Sequence, residues 1–166
     1  MAPFTHVRTC PAHPTTVWDV LTDFAAYGSW IPLTTMRVDD GAPRVGWGFA
    51  GLSGVGPLRF ADTMLLTRWE PPGAAGSDDG DAAGRDGTHG RFAVIKTGRL
   101  LGGWADVTVE PAPEGSAVRW TEELTLRPAP VGRLARPVTD RVGAPMFARA
   151  LDAMLAEAVA RESVPR

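Results

Sequence analysis

The chain has 166 residues, of which 44% are hydrophobic and 22% charged, with a formal net charge of −2. That length suits one domain, residues 1–166, able to bury about two-thirds of its unfolded surface, and the near-balanced charge argues against a nucleic-acid binder, which would show a basic face or stripe. Cys10 is the only cysteine, which excludes an intrachain disulfide and a cysteine-rich zinc site.

From the N-terminus, Met1-Ala2-Pro3-Phe4-Thr5-His6 lacks the basic stretch and apolar core of a signal peptide. No segment anywhere reaches the roughly 18 apolar residues of a membrane span, so a cytoplasmic location is the expectation. Phe4 to Cys10 alternates and reads as a first strand. Pro11-Ala12-His13-Pro14 breaks it, and Thr15 or Thr16 is placed to cap a helix. Val17, Val20, Leu21 and Phe24 share one face of that helix. Asp23 ends it and opens a second short helix, which stops before Pro32 because a residue preceding proline is pushed out of the helical region.

The next stretch is almost all strand. Thr34 to Val38, Val45 to Leu52 and Leu58 to Trp69 are read in turn, with the glycines of the second suggesting curvature. Residues 73–90 are rich in Gly, Ala, Asp and Ser and predict a mobile hairpin loop. Arg91 to Leu101, Trp104 to Glu110 and Ser116 to Arg127 follow, with turns at Gly102-Gly103 and Pro111 to Gly115. Short connections between successive strands make an antiparallel meander. The last quarter predicts one long helix over 138–161, opened by Pro137 and kinked or split near Gly143 and Pro145. Together these elements give an α+β class.

This order of elements resembles the START-like (SRPBCC) helix-grip superfamily, in its polyketide cyclase/dehydrase branch. The residues that carry the likeness are Pro14-Thr15-Thr16-Val17-Trp18-Asp19-Val20-Leu21-Thr22-Asp23-Phe24, then Trp30-Ile31-Pro32, Gly46 to Phe49, and Trp69-Glu70-Pro71-Pro72. Gly102 to Val109 and Val118 to Glu122 complete it. The resemblance implies a curved antiparallel sheet wrapped around the C-terminal helix, with a cavity between them. It also implies a small hydrophobic guest, lipid-like or aromatic and polyketide-like. Only some members of that superfamily are enzymes, and no universal catalytic residue transfers, so the likeness names a cavity without naming a reaction.

The residues themselves offer few reactive constellations. His6, His13 and His89 have no ligand spacing, so no metal and no cofactor are expected. Gly46-Trp47-Gly48-Phe49-Ala50-Gly51 sits within a strand pattern and lacks the helix that a phosphate-binding loop needs. Strand alternation says more. Glu122 shares a face with Val118, Trp120, Leu124 and Leu126. Lys96 shares one with Phe92 and Val94, and Asp62 with Phe60, Met64 and Leu66. Three charged residues thus fall in apolar registers, where each must pair, titrate, reach water or meet a ligand. The plain alternatives are a strand end, a bulge that flips the register, or a structural ion pair.

Lys96 is the only lysine, and that skew toward arginine reads as coding bias. Trp30, Trp47, Trp104 and Trp120 are candidates to line a cavity and stack on a flat guest, with core packing as the alternative for each. Met36, Met64, Met146 and Met154 offer deformable walls. The candidate site is therefore Asp62, Lys96, Glu122, Trp30, Trp47, Trp104, Trp120 and Met154. Three readings of function stay open at this point. They are a binder of a small hydrophobic molecule, a cyclase, aromatase or dehydratase using Glu122, Lys96 or Asp62 to move protons, and a protein-interaction or co-chaperone-like module.

Overall fold

A computed structural model describes residues 3–54, 56, 59–73, 89–127 and 129–163, and for 129–144 it describes the backbone alone. Positions 74–88 of the expected hairpin loop therefore lie outside the described residues. Seven strands form one antiparallel sheet: β1 (Phe4–Cys10), β2 (Thr34–Val38), β3 (Gly48–Ser53), β4 (Phe60–Glu70), β5 (Gly90–Lys96), β6 (Leu101–Ala112) and β7 (Gly115–Leu126). Their order across the sheet is β1-β7-β6-β5-β4-β3-β2, so each strand from β2 to β7 pairs with its neighbour in sequence. Between β1 and β2 lie α1 (Pro14–Leu21) and a short 3-10 helix (Phe24–Ser29), and α2 (Ala129–Ser163) ends the fold.

α1 is capped by His13 rather than by Thr15 or Thr16. The His13 ring accepts from the Thr15 amide, and Pro14 takes the first helical position, where its missing N–H costs nothing. The His13 amide donates to Glu162 Oε1 at 2.7 Å, which ties the start of α1 to the end of α2. Asp23 caps the 3-10 helix by accepting from the Ala26 amide, as its place after the first apolar run predicts. Val17, Val20 and Leu21 are fully buried against the sheet and α2.

Phe24 is the hub of an aromatic cluster. It stacks on Phe49 at 4.3 Å between centroids and meets Phe92 edge-on at 5.5 Å. Trp18 packs on Trp69 at 5.1 Å. Such pairs add about 0.5–1.5 kcal/mol each beyond area burial. Leu151, Met154, Leu155 and Ala158 of α2 extend the same core.

Two boundaries differ most from expectation. α2 begins at Ala129, not near Pro137, because Pro130 falls in its first turn, where proline is tolerated. It then continues through Gly143 and Pro145 as one helix. A proline removes a single N–H donor there and need not end the element.

Gly102 and Gly103 are likewise not a turn. β6 starts at Leu101, and the connection lies over 97–100. Gly103 adopts φ +123°, and a Cβ on it would stand 1.8 Å from the Glu123 carbonyl oxygen of β7. Gly103→Ala should therefore lose about 1–3 kcal/mol. Denaturant melts check it, and a variant of wild-type stability would show that the strand pair relaxes freely around a methyl group.

Candidate functional site

Period-two alternation turns a continuous set of side chains to the concave face. β4 contributes Phe60, Asp62 and Met64, and β5 contributes Phe92, Val94 and Lys96. β7 adds Trp120, Glu122, Leu124 and Leu126. These residues border a cavity of about 500 Å³ that is closed from one side by Phe24 and Tyr27 and from another by Met146 and Phe147 of α2. The β4 bulge between Leu66 and Arg68 lies beyond this set, so the alternation through Asp62 is undisturbed.

Three charged side chains meet in the cavity wall. Lys96 Nζ donates to Asp62 Oδ2 at 2.7 Å and stands 3.3 Å from Glu122 Oε1. It also lies 3.7 Å from the Met64 sulfur and 5.8 Å from the Phe147 ring centroid, a cation–π distance. Glu122 Oε2 accepts from the Trp120 indole N–H at 3.1 Å. The side chains of Lys96 and Glu122 are only 4% and 1% exposed, and Asp62 is 14% exposed, so water screens this cluster little.

Strand register explains how Lys96 spans three strands. Lys96 pairs with Met64 of β4, two residues from Asp62, which places lysine and aspartate diagonally across neighbouring strands. On its other side Lys96 pairs with Gly103 of β6. Gly103 has no side chain, so the lysine reaches past β6 to Glu122 on β7.

The electrostatics follow from burial and from the partners. Burial pushes the Glu122 carboxyl above the ordinary glutamate value, opposed by the Lys96 charge and the Trp120 hydrogen bond. Burial alone would lower the lysine, but the charges of Glu122 and Asp62 outweigh it and hold the ammonium above its usual value. Lys96 is thus a fixed cation and a poor nucleophile, whereas Glu122 is the group suited to exchange a proton. The Tyr27 hydroxyl is fully buried and strongly raised by desolvation, and it donates to the Leu21 carbonyl at 2.6 Å. It is a structural hydrogen bond rather than a free acid.

Of the eight residues proposed from sequence, Asp62, Lys96, Trp120 and Glu122 border the cavity. The other four are placed elsewhere. Trp104 lies on the opposite face of β6 and donates to Glu123 Oε2 at 3.0 Å, since the inward positions of that strand are Ala105, Val107 and Val109. Trp47 is buried in the aromatic cluster, 5.7 Å from Phe24. Trp30 packs edge-on against Tyr27 from outside the cavity. Met154 is core, two turns beyond the part of α2 that reaches the cavity. Sequence reasoning missed Phe24, Tyr27 and Phe147. Phe147 falls in the apolar stripe of the last helix, and Phe24 reads in sequence as the end of the first helix's stripe although it opens the 3-10 helix, so helical spacing marked both as buried without separating cavity from core.

A comparison with protein-family models matches residues 1–161 to "Polyketide cyclase / dehydrase and lipid transport". The chain belongs to that family. Similar solved structures include the Zhui aromatase/cyclase from Streptomyces sp. R1128, at 15% identity and a TM-score of 0.64 over 98% of this chain and 96% of that one. The di-domain ARO/CYC StfQ from the steffimycin biosynthetic pathway matches at 16% identity and a TM-score of 0.68, with 98% of this chain covering 52% of StfQ. This chain thus spans about half of that protein. TTHA0849 from Thermus thermophilus matches at 16% identity and a TM-score of 0.67 over 98% of this chain and 99% of its own. At these identities the likeness is one of fold: the sheet gripping a C-terminal helix is common to this polyketide cyclase/dehydrase family member and to all three. No curated protein matches the sequence.

Proposed function

We propose that this protein binds a small, flat, largely apolar molecule in the cavity between the sheet and α2. The observation that carries the reading is the cavity itself: about 500 Å³, walled largely by aromatic, aliphatic and methionine side chains, with its charged groups gathered in one cluster. A pocket of that size and character is typical of small-molecule sites. Family membership supports it, since the family's description includes both lipid transport and polyketide cyclisation. An internal cavity also weighs against a module that acts only through its outer surface. Nile red titration and native mass spectrometry of protein taken from cells test the reading. A protein that neither enhances the dye nor carries any bound mass would end it.

A second reading is favoured by the Asp62–Lys96–Glu122 cluster. Here the guest is a reactive chain, cyclised or dehydrated while Glu122 gives or takes a proton, as the names of the two aromatase/cyclase neighbours suggest. Glu122→Gln separates the two readings. Lys96 keeps its 2.7 Å contact with Asp62 in that variant, so no cation is stranded. Because the Glu122 pKa is raised in the fold, its favourable contribution is complete below the ordinary value of 4.5 and is lost as pH rises through the folded value. The variant should therefore equal wild type near pH 4. At neutral pH it should match or exceed wild type, by up to about 2 kcal/mol. Under the binding reading its affinity shifts modestly, whereas under the enzyme reading turnover falls about 10²–10⁴-fold. Melts across pH 4–8 and product analysis check both. A variant clearly less stable than wild type at pH 7 would show that Glu122 is needed by Lys96 after all.

A further inference from the structure

We infer that the guest is a neutral molecule whose polar end donates hydrogen bonds, a phenolic or alcoholic hydroxyl on an apolar body, and that carboxylate guests such as fatty acids are rejected. The inference rests on the binding reading and narrows it. Its basis is a tally of the polar groups that the described residues present around the cavity.

Every donor among the described lining residues is engaged. The Lys96 ammonium is surrounded by Asp62 Oδ2, Glu122 Oε1 and the Met64 sulfur. The Trp120 N–H is given to Glu122 Oε2, and the Tyr27 O–H to the Leu21 carbonyl. Near the end of β3, the hydroxyls of Thr34 and Ser53 share one hydrogen bond at 2.7 Å, and Thr34 donates to the Pro32 carbonyl at 3.3 Å, which uses both O–H groups. The groups left over at the cavity wall are acceptors; the one buried side-chain donor without a partner among the described residues, Trp47 Nε1, belongs to a residue that does not line the cavity. Asp62 Oδ1 is buried with no hydrogen-bond partner among the described residues, and Glu122 Oε1 meets only the Lys96 ammonium at 3.3 Å.

A buried acceptor without a donor is costly, and a guest that supplies the donor recovers that cost on binding. With Glu122 ionised, a guest ketone finds no unspent donor in the wall. A guest carboxylate meets two carboxylates and a cation they have already neutralised, which is repulsive at short range in a poorly screened site. Protonation of Glu122, which its raised pKa favours, would add one O–H to the wall but would leave Asp62 Oδ1 still in need of a donor.

Isothermal titration of the full chain at pH 7 with 2-naphthol, 2-methoxynaphthalene, 2-acetonaphthone and 2-naphthoate tests this, because the four share one apolar body. Naphthol should bind about tenfold or more tighter than the ether or the ketone, and naphthoate most weakly. Asp62→Asn supplies an independent arm. Its carbonyl oxygen must face the Lys96 ammonium, which turns the amide NH2 to where Oδ1 stood and replaces an acceptor by a donor. Naphthol should then weaken and acetonaphthone strengthen, each several-fold.

A ketone or carboxylate that equals naphthol on the wild-type protein would overturn the inference, as would an unchanged ranking in a folded Asp62→Asn. If that variant does not fold, the wild-type ranking decides alone. Nile red distinguishes the two levels. Dye binding with no preference for naphthol sinks the donor inference and spares the cavity reading, while failure of the dye and all four naphthalenes sinks both.

Discussion

Lys96→Met should destabilise the protein by about 3–5 kcal/mol at neutral pH, the usual cost of removing one partner from a buried ion cluster. The methionine fits the apolar surroundings of Phe147 and Met64, so lost packing is not the source. What the variant leaves behind is two carboxylates facing each other with no cation, Glu122 fully buried and Asp62 nearly so. The pH dependence identifies the cause. In wild type the Lys96 contribution is fully present below the ordinary lysine value of 10.5 and is lost only as pH rises through its raised folded value, so neutral pH shows all of it. In the variant the carboxylates must protonate to be tolerated, so its deficit should shrink as pH falls toward 4. Lys96→Met combined with Glu122→Gln should recover part of the loss, because one of the stranded charges is gone. Chemical denaturation of the three proteins at pH 7 and pH 5 measures this. A pH-independent deficit would mean that the lysine acts through packing and not through charge.

Much of the fold was legible in the sequence because each element declares its own period. β1 and β2 fall where alternation put them, and β7 differs by a residue at each end, since alternating burial in a half-covered sheet is a strong constraint. The errors cluster where a breaker residue was read as an interruption. Gly102-Gly103 looked like a turn and is strand, since the chain uses the missing Cβ for close approach to β7 and not for reversal. Pro137 looked like the start of the last helix and Pro145 like a break in it, and both are inside it. Local propensity says what a residue makes easy, and tertiary contact decides which use is taken.

The candidate site was legible in its charges and not in its aromatics. Asp62, Lys96 and Glu122 stood out because a charge in an apolar register needs a partner, and Lys96 is the partner of both carboxylates. Trp30, Trp47 and Trp104 gave no such signal, because an indole serves equally in the core, in the cavity wall or against an outer carboxylate. The lone lysine also reads differently once placed. Arginine accounts for every other strongly basic side chain, yet the one lysine fills the position that needs a compact ammonium reaching past Gly103 between two carboxylates.

Ala105→Trp should abolish guest binding, weakening Nile red or naphthol by at least about a hundredfold, while leaving the fold intact. Ala105 is buried on the inner face of β6, pairing with Val94 on one side and Glu122 on the other, so its methyl points into the middle of the cavity beside the polar cluster. An indole there occupies the space a flat guest would take and covers the approach to Glu122. Overpacking a filled core costs about 1–3 kcal/mol, but here the added ring enters a void and exchanges water contact for Phe92, Trp120 and Phe147. Stability should hold or rise. A hundredfold corresponds to about 2.7 kcal/mol of binding free energy, well beyond what a remote packing change transmits. Paired titrations and melts of wild type and variant give the answer. Retained affinity in a stable Ala105→Trp protein would place the guest somewhere other than this cavity, and the functional reading would have to move with it.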